Sequence, residues 1–171
     1  MERDQLRAVQ APLKQKYRED PDAAFVTLRA EGVLGQNVSC SISNQGRAIQ
    51  SGLHPATGGS GQLACSGDLL LQALVACAGV TLSAVATSLG LSVQAGTVVA
   101  EGDLDFRGTL GVSKEVPVGF KQIRLHFRLD ADLTEEQENK LLELTQRYCV
   151  VYQTLRQGAE VIMVAEVRSE E

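Results

Sequence analysis

The sequence contains no tryptophan, and aromatic residues make up only 4% of its 171 positions. Base-stacking surfaces need aromatic platforms, so a single-strand nucleic-acid binder is disfavoured. Positive charge is also short. Sixteen Lys and Arg face 21 Asp and Glu, leaving a net charge of −5 at neutral pH. Such a balance repels phosphate instead of neutralising it. The four cysteines form no CxxC pair and no CxxC…HxxxH pattern, so zinc-ligand spacing is missing. A metal site would need Cys65, Cys77 or Cys149 to converge with His54, and no metal or cofactor is expected. The loop His54 to Gly61, HPATGGSG, lacks the Gly-Lys-Ser/Thr ending of a phosphate-binding loop. The charged opening Met1-Glu2-Arg3-Asp4 leads into no apolar segment. A cytoplasmic location is therefore expected, where four thiols do not read as a disulfide scaffold.

What is present is an ordinary globular balance. Hydrophobic residues are 44% and charged residues 22%, in a chain long enough for one hydrophobic core. Leu69 to Leu89 is rich in Leu, Val and Ala at about the length of a bilayer span. Gln72, Thr81, Ser83, Thr87 and Ser88, with no flanking Lys or Arg anchors, argue against a membrane. A helix apolar on nearly all sides in a soluble chain is buried in protein or at a large subunit interface.

Periodicity gives the remaining elements. Residues 1–24 read as a helical extension, with Leu6, Val9 and Leu13 at helical spacing and Pro12 breaking the run, and residues 25–171 as one domain. Phe25 to Glu31 alternates as a strand, and Val38, Cys40 and Ile42 share one face of another. Asn44-Gln45-Gly46 suits a hairpin turn before a strand near Arg47 to Ser51. Ser66 is placed to cap the long helix, with Asp68 in its first turn and Gly90 at its end. Glu101 to Arg107 and Lys121 to Leu129 read as half-exposed antiparallel strands. Thr134-Glu135-Glu136-Gln137 is a capping box opening a helix that runs through Leu141, Leu144 and Tyr148 toward Cys149. Gly158 ends that region and Glu160 to Val167 reads as a closing strand. Two helices interrupting antiparallel strands define an α+β domain.

The candidate chemistry lies in the thiols. Cys77 sits in the middle of the long helix and Cys149 on the second, where a small hydrophobe filling the core is the bland reading. Cys40 reads as sheet core and Cys65 as an incidental loop thiol. Reactivity requires a thiolate, which burial opposes, and a mid-helix position receives little from its own helix N-terminus. A reactive Cys77 would therefore need a cation from another segment, for which Arg is suited. His126 falls on a polar strand face; His54 could line a pocket.

The run Cys65-Ser66-Gly67-Asp68-Leu69-Leu70-Leu71-Gln72-Ala73-Leu74-Val75-Ala76-Cys77 resembles the signature of the OsmC/Ohr family. Glu101-Gly102-Asp103-Leu104-Asp105-Phe106-Arg107-Gly108 resembles the strand that follows, and Arg147-Tyr148-Cys149-Val150-Val151 the second cysteine segment. The resemblance implies an intertwined homodimer in which antiparallel sheets wrap long buried central helices. It also implies a peroxidase for organic hydroperoxides. Cys77 would be the attacking thiolate and Cys149 the resolving thiol, recycled by a dithiol or a lipoylated-protein reductant. By the same resemblance an Arg from an N-terminal strand, Arg29 or Arg47 with Arg29 favoured, and an acid at the start of the long helix would support Cys77. The sequence departs from the pattern at two places. The family's Glu position falls on Gly67, with Asp68 one residue later, and the usual Pro after the second Cys is Val150. A one-residue shift turns a helical side chain by about 100°. A non-catalytic dimer binding a small hydrophobic ligand and a stoichiometric redox sensor are the alternative readings.

Overall fold

The computed structural model describes residues 1–36, 38–44 and 47–166. Its elements are α1 (Arg3–Glu19), β1 (Glu31–Gly35), β2 (Ser39–Asn44), β3 (Arg47–Ser51), α2 (Ser66–Leu89), β4 (Ala95–Asp103), α3 (Phe106–Thr109), β5 (Gln122–Asp130), α4 (Glu135–Tyr148) and α5 (Val150–Gln157). Strands β1-β2-β3 form one antiparallel sheet and β4-β5 a second, an α+β arrangement.

Helix α2 is the axis of the fold. Gly90 ends it with φ 72°, a left-handed conformation that glycine adopts without steric cost. The N–H of Leu91 then bonds back to the Ala86 carbonyl at 2.9 Å. Leu74, Ala78, Leu82, Val85 and Ala86 recur at helical spacing and are buried. They meet the inner face of β5, where Ile123, Leu125, Phe127 and Leu129 alternate with the outward Arg124, His126 and Arg128. From the other side comes α4, with Leu141 fully buried and Thr145 nearly so. The Thr145 hydroxyl is satisfied by donating to the Leu141 carbonyl at 2.7 Å. The Thr134 capping box opens α4 as its sequence requires: Gln137 N–H donates to the Thr134 hydroxyl at 3.2 Å and Thr134 N–H to Gln137 Oε1 at 3.0 Å.

Several boundaries differ from the sequence reading. Pro12 lies inside α1 and does not break it. Residues 25–30 are irregular and β1 starts at Glu31. Val38 precedes β2 at φ 56° and is exposed, so it does not share a buried face with Cys40 and Ile42. The turn residues Gln45 and Gly46 lie outside the described residues. Cys65, not Ser66, occupies the N-cap of α2. Strand β4 ends at Asp103, because Asp105 caps α3 by accepting from the Arg107 N–H at 3.2 Å. Residues 158–166 are irregular; Val167 lies outside the described residues.

One chain leaves much apolar surface uncovered. By length and composition α2 could cross a membrane, yet one of its faces is the protein core. The other face presents Ala73, Ala76 and Val80 to solvent, with Val80 72% exposed. Val33 and Leu34 on β1, and Val161 to Val164 near the C-terminus, are also exposed. The accessible surface is 13619 Å², whereas a compact monomer of 18.3 kDa exposes about 8,100 Å².

Candidate functional site

The site forms where α4 stops. Cys149 closes α4 by donating its N–H to the Thr145 carbonyl at 3.0 Å, then turns the chain with extended angles, φ −75° and ψ 106°. Helix α5 restarts at Val150, and the Gln153 side chain bonds back to the Gln146 carbonyl at 2.7 Å, tying the two helices across the break. This break turns the buried Cys149 (1% exposed) toward half-buried Cys77 on α2. Leu74, Ala78, Val98, Ala100, Ile123 and Leu125 surround the pair.

The two thiols are shifted in opposite directions from the ordinary thiol value. Burial pushes the Cys77 thiol up. The N–H of Val151, the Cys149 thiol, the Thr81 hydroxyl and the Val150 N–H all favour its thiolate and bring it below the ordinary value. For Cys149, burial dominates and raises the value. The Tyr152 N–H counters this in part, and the neighbouring Cys77 adds to the rise. Cys77 therefore ionises first, while Cys149 stays a thiol that donates to it.

The remaining candidates lie elsewhere in the single chain. Arg29 precedes β1, is 80% exposed at its side chain and bonds Glu31 at 2.7 Å. Arg47 begins β3, and its side chain lies outside the described residues. Asp68 is exposed in the first turn of α2, nine residues before Cys77, about 13 Å along the axis. Neither Arg29 nor Asp68 is among the groups acting on the Cys77 sulfur. A Cβ on Gly67 would make an ordinary 3.4 Å contact with Phe120 Cζ, whereas one on Gly102 would lie only 2.5 Å from Phe120 Cε1. His54 accepts from the Ala56 N–H at 3.0 Å and stacks on Phe106 with ring centroids 4.8 Å apart, so it fastens its loop to α3. His126 pairs with Glu101 at 3.5 Å on the outer sheet face.

Sequence reasoning missed three contributors. Thr81 was recoverable, since it stands one turn beyond Cys77 on the same face. The Val150 and Val151 amides were not, because neither Gly nor Pro announces the helix break at Cys149.

Fold and site together define a two-cysteine α+β protein whose thiols meet between a long central helix and a broken second helix. The sequence profile of the family described as OsmC-like protein matches residues 59–164, more than half of the chain. The chain belongs to that family. No curated protein matches it in sequence. Among solved structures it resembles an OsmC-like protein from Mycoplasma pneumoniae (TM-score 0.65, 17% identity, covering 78% of this chain and 89% of that one). It also resembles an organic hydroperoxide resistance protein from Elizabethkingia anophelis (TM-score 0.62, 18% identity, 78% and 91%). A third is an organic hydroperoxide resistance protein OsmC from Legionella pneumophila (TM-score 0.61, 19% identity, 77% and 90%). At these identities the likeness is one of fold.

Proposed function

We propose that this chain is a cytoplasmic, homodimeric thiol peroxidase that reduces organic hydroperoxides through Cys77 and Cys149. The observation that carries this reading is the packing of Cys77 and Cys149 in one apolar cluster beside the break between α4 and α5, where the surroundings shift the Cys77 thiol down and the Cys149 thiol up. The Cys77 thiolate attacks the outer peroxide oxygen. An S–O bond forms, the O–O bond breaks, and the alkoxide leaves to take up a proton as the alcohol. The resulting sulfenic acid is attacked by Cys149 sulfur, which loses its proton as water departs, giving a disulfide. A small dithiol or a lipoylated protein then supplies two electrons and two protons by exchange. The apolar side chains around the pair favour an organic peroxide over hydrogen peroxide.

The surface supports a homodimer. Each chain exposes about 5,500 Å² more than a compact monomer of its size, more than its share of the roughly 2,000–5,000 Å² that obligate dimers bury in total. The exposed stripe Ala73, Ala76 and Val80 on α2 is a suitable seam for a second copy.

Steady-state consumption of cumene hydroperoxide with dihydrolipoamide as electron donor tests the reading. Many turnovers per chain, abolished by Cys77→Ser, are expected; no turnover with intact thiols overturns it. A second reading, a binder of small apolar molecules, draws on a groove of about 480 Å³ lined by Leu74, Ile123, Leu125, Phe127, Tyr152 and Leu155 among others. It requires affinity that survives Cys77→Ser. A stoichiometric sensor would form the disulfide once, without sustained consumption.

A further inference from the structure

We propose that α1 is a dimer clasp: the exposed apolar face of α1 in one copy lies in the groove between α2 and β4 of a second copy, reciprocally. The inference rests on the homodimer of the proposed function. The OsmC-like profile begins at residue 59, so α1 is a part of the chain that the family match does not explain. Its apolar residues Leu6, Val9, Leu13 and Tyr17 recur every three or four positions and form one face. Only the start of that face is used within the chain. The Arg3 guanidinium reaches the end of α2, 3.7 Å from where a Cβ on Gly90 would stand, and Leu6 and Gln10 are half-buried. Beyond them Val9, Leu13 and Tyr17 are 55%, 49% and 39% exposed, and no residue of α1 is buried. The face therefore overhangs the end of α2 and is turned toward protein, which suits a second chain better than a flat lipid surface.

The groove matches this face. It holds about 420 Å³ along the C-terminal half of α2 and is lined by Gly79, Ser83 and Thr87 from α2 and by Leu91, Val93 and Gly96 from the segment that follows, among others. No charged residue and no residue of α1 lines it. Small side chains on α2 let another helix approach closely. Val9 to Tyr17 and Gly79 to Thr87 have the same sequence separation, so both span about 12 Å along their axes. Charge points the same way. Arg3, Arg7, Lys14 and Arg18 recur at helical spacing beside the apolar face, in a chain of net charge −5. At the end of the groove stands Asp130, paired across the sheet with Ala95, followed by Asp132 and by Glu135, Glu136 and Glu138 in the first turn of α4. Among the described residues none of these bases or acids is in an ion pair, and the two sets are complementary. The start of α1 and the groove lie at the same end of α2, so a two-fold axis there lets each copy supply one helix and one groove.

Sedimentation velocity of the full-length, reduced protein over a dilution series tests this, with Leu13→Asp on the helix and Ser83→Arg in the groove. Both side chains are exposed in one chain, so neither substitution disturbs its core. Each variant alone is expected to dissociate about tenfold or more readily than the unaltered chain, because both of its clasps are damaged. A mixed dimer of one Leu13→Asp chain and one Ser83→Arg chain keeps one intact clasp, an unaltered helix in an unaltered groove. An equimolar mixture should therefore dimerise at concentrations where either variant is monomeric. A Leu13→Asp variant that dimerises like the unaltered chain, or a mixture that gains nothing over its components, overturns the proposal. Pelleting of the chain with phosphatidylglycerol vesicles, with a dimer indifferent to Leu13→Asp, also overturns it and assigns the face to a lipid surface. If circular dichroism shows that Ser83→Arg does not fold, Thr87→Arg takes its place, and the Leu13→Asp result decides by itself. An unaltered chain that is monomeric throughout refutes the homodimer and the clasp together, whereas a dimer indifferent to Leu13→Asp refutes the clasp alone.

Discussion

Leu74→Ala perturbs the packing that holds the thiol pair. Leu74 is 2% exposed and belongs to the cluster around Ala78 and Cys149. Truncating a buried Leu to Ala costs about 2–5 kcal/mol, a transfer part plus a part that grows with the cavity left behind. Leu74 also lines the groove between β5, α4 and α5, so part of the vacated volume opens to water and does not remain a sealed void. The lower half of the range follows, about 2–3 kcal/mol. For a chain of this length that corresponds to a fall in Tm of roughly 4–12 °C. The assay is urea and thermal unfolding at one fixed protein concentration, because dimer stability depends on it. The same cavity bares Cys149, whose alkylation should accelerate while Cys77 changes less. An unchanged Tm, or a Cys149 as protected as before, would refute the packing role assigned to Leu74.

Cys149→Ser is expected to stop the reaction at the Cys77 sulfenic acid. A dimedone adduct on Cys77, visible by mass spectrometry, would appear in place of the disulfide, and turnover should fall at least tenfold. The pH dependence of stability should carry two opposed contributions. The depressed Cys77 value adds stability fully present above the unfolded thiol's value and lost as pH falls through the folded one. The raised Cys149 value adds stability present below the unfolded value and lost as pH rises through the folded one. Single Cys→Ala variants followed by urea unfolding from pH 6 to 10 separate them, and identical profiles would contradict the asymmetry. Gly102→Ala places a Cβ 2.5 Å from Phe120 Cε1; overpacking of this kind costs about 1–3 kcal/mol, and an unaltered Tm would show that the ring moves freely.

Periodicity in the sequence carried the core well. The alternation of β5, the capping box of α4 and the glycine stop of α2 are local signals, and the structure has each of them. The edges were harder. Asp105 suits a strand flank as readily as a helix cap, and only the Arg107 and Lys121 contacts around it settle the cap. Phe25 to Glu31 and Glu160 to Val167 read as strands, but among the described residues 25–30 and 158–166 are irregular and join no sheet, since strand pairing depends on a neighbour that local sequence cannot supply. At the site, the two cysteines were legible from their motifs. Their mutual contact and the amides around Cys77 come from the break at Cys149, a tertiary outcome that carries no residue signature.

The most direct test of the thiol pair is anaerobic titration of the fully reduced protein with cumene hydroperoxide, followed by peptide mapping. One equivalent should convert Cys77 and Cys149 together into a single disulfide, leaving Cys40 and Cys65 as thiols. Both site thiols still reduced with peroxide in excess, or a disulfide that enlists Cys40 or Cys65 instead, would contradict the assignment of Cys77 and Cys149 as the working pair.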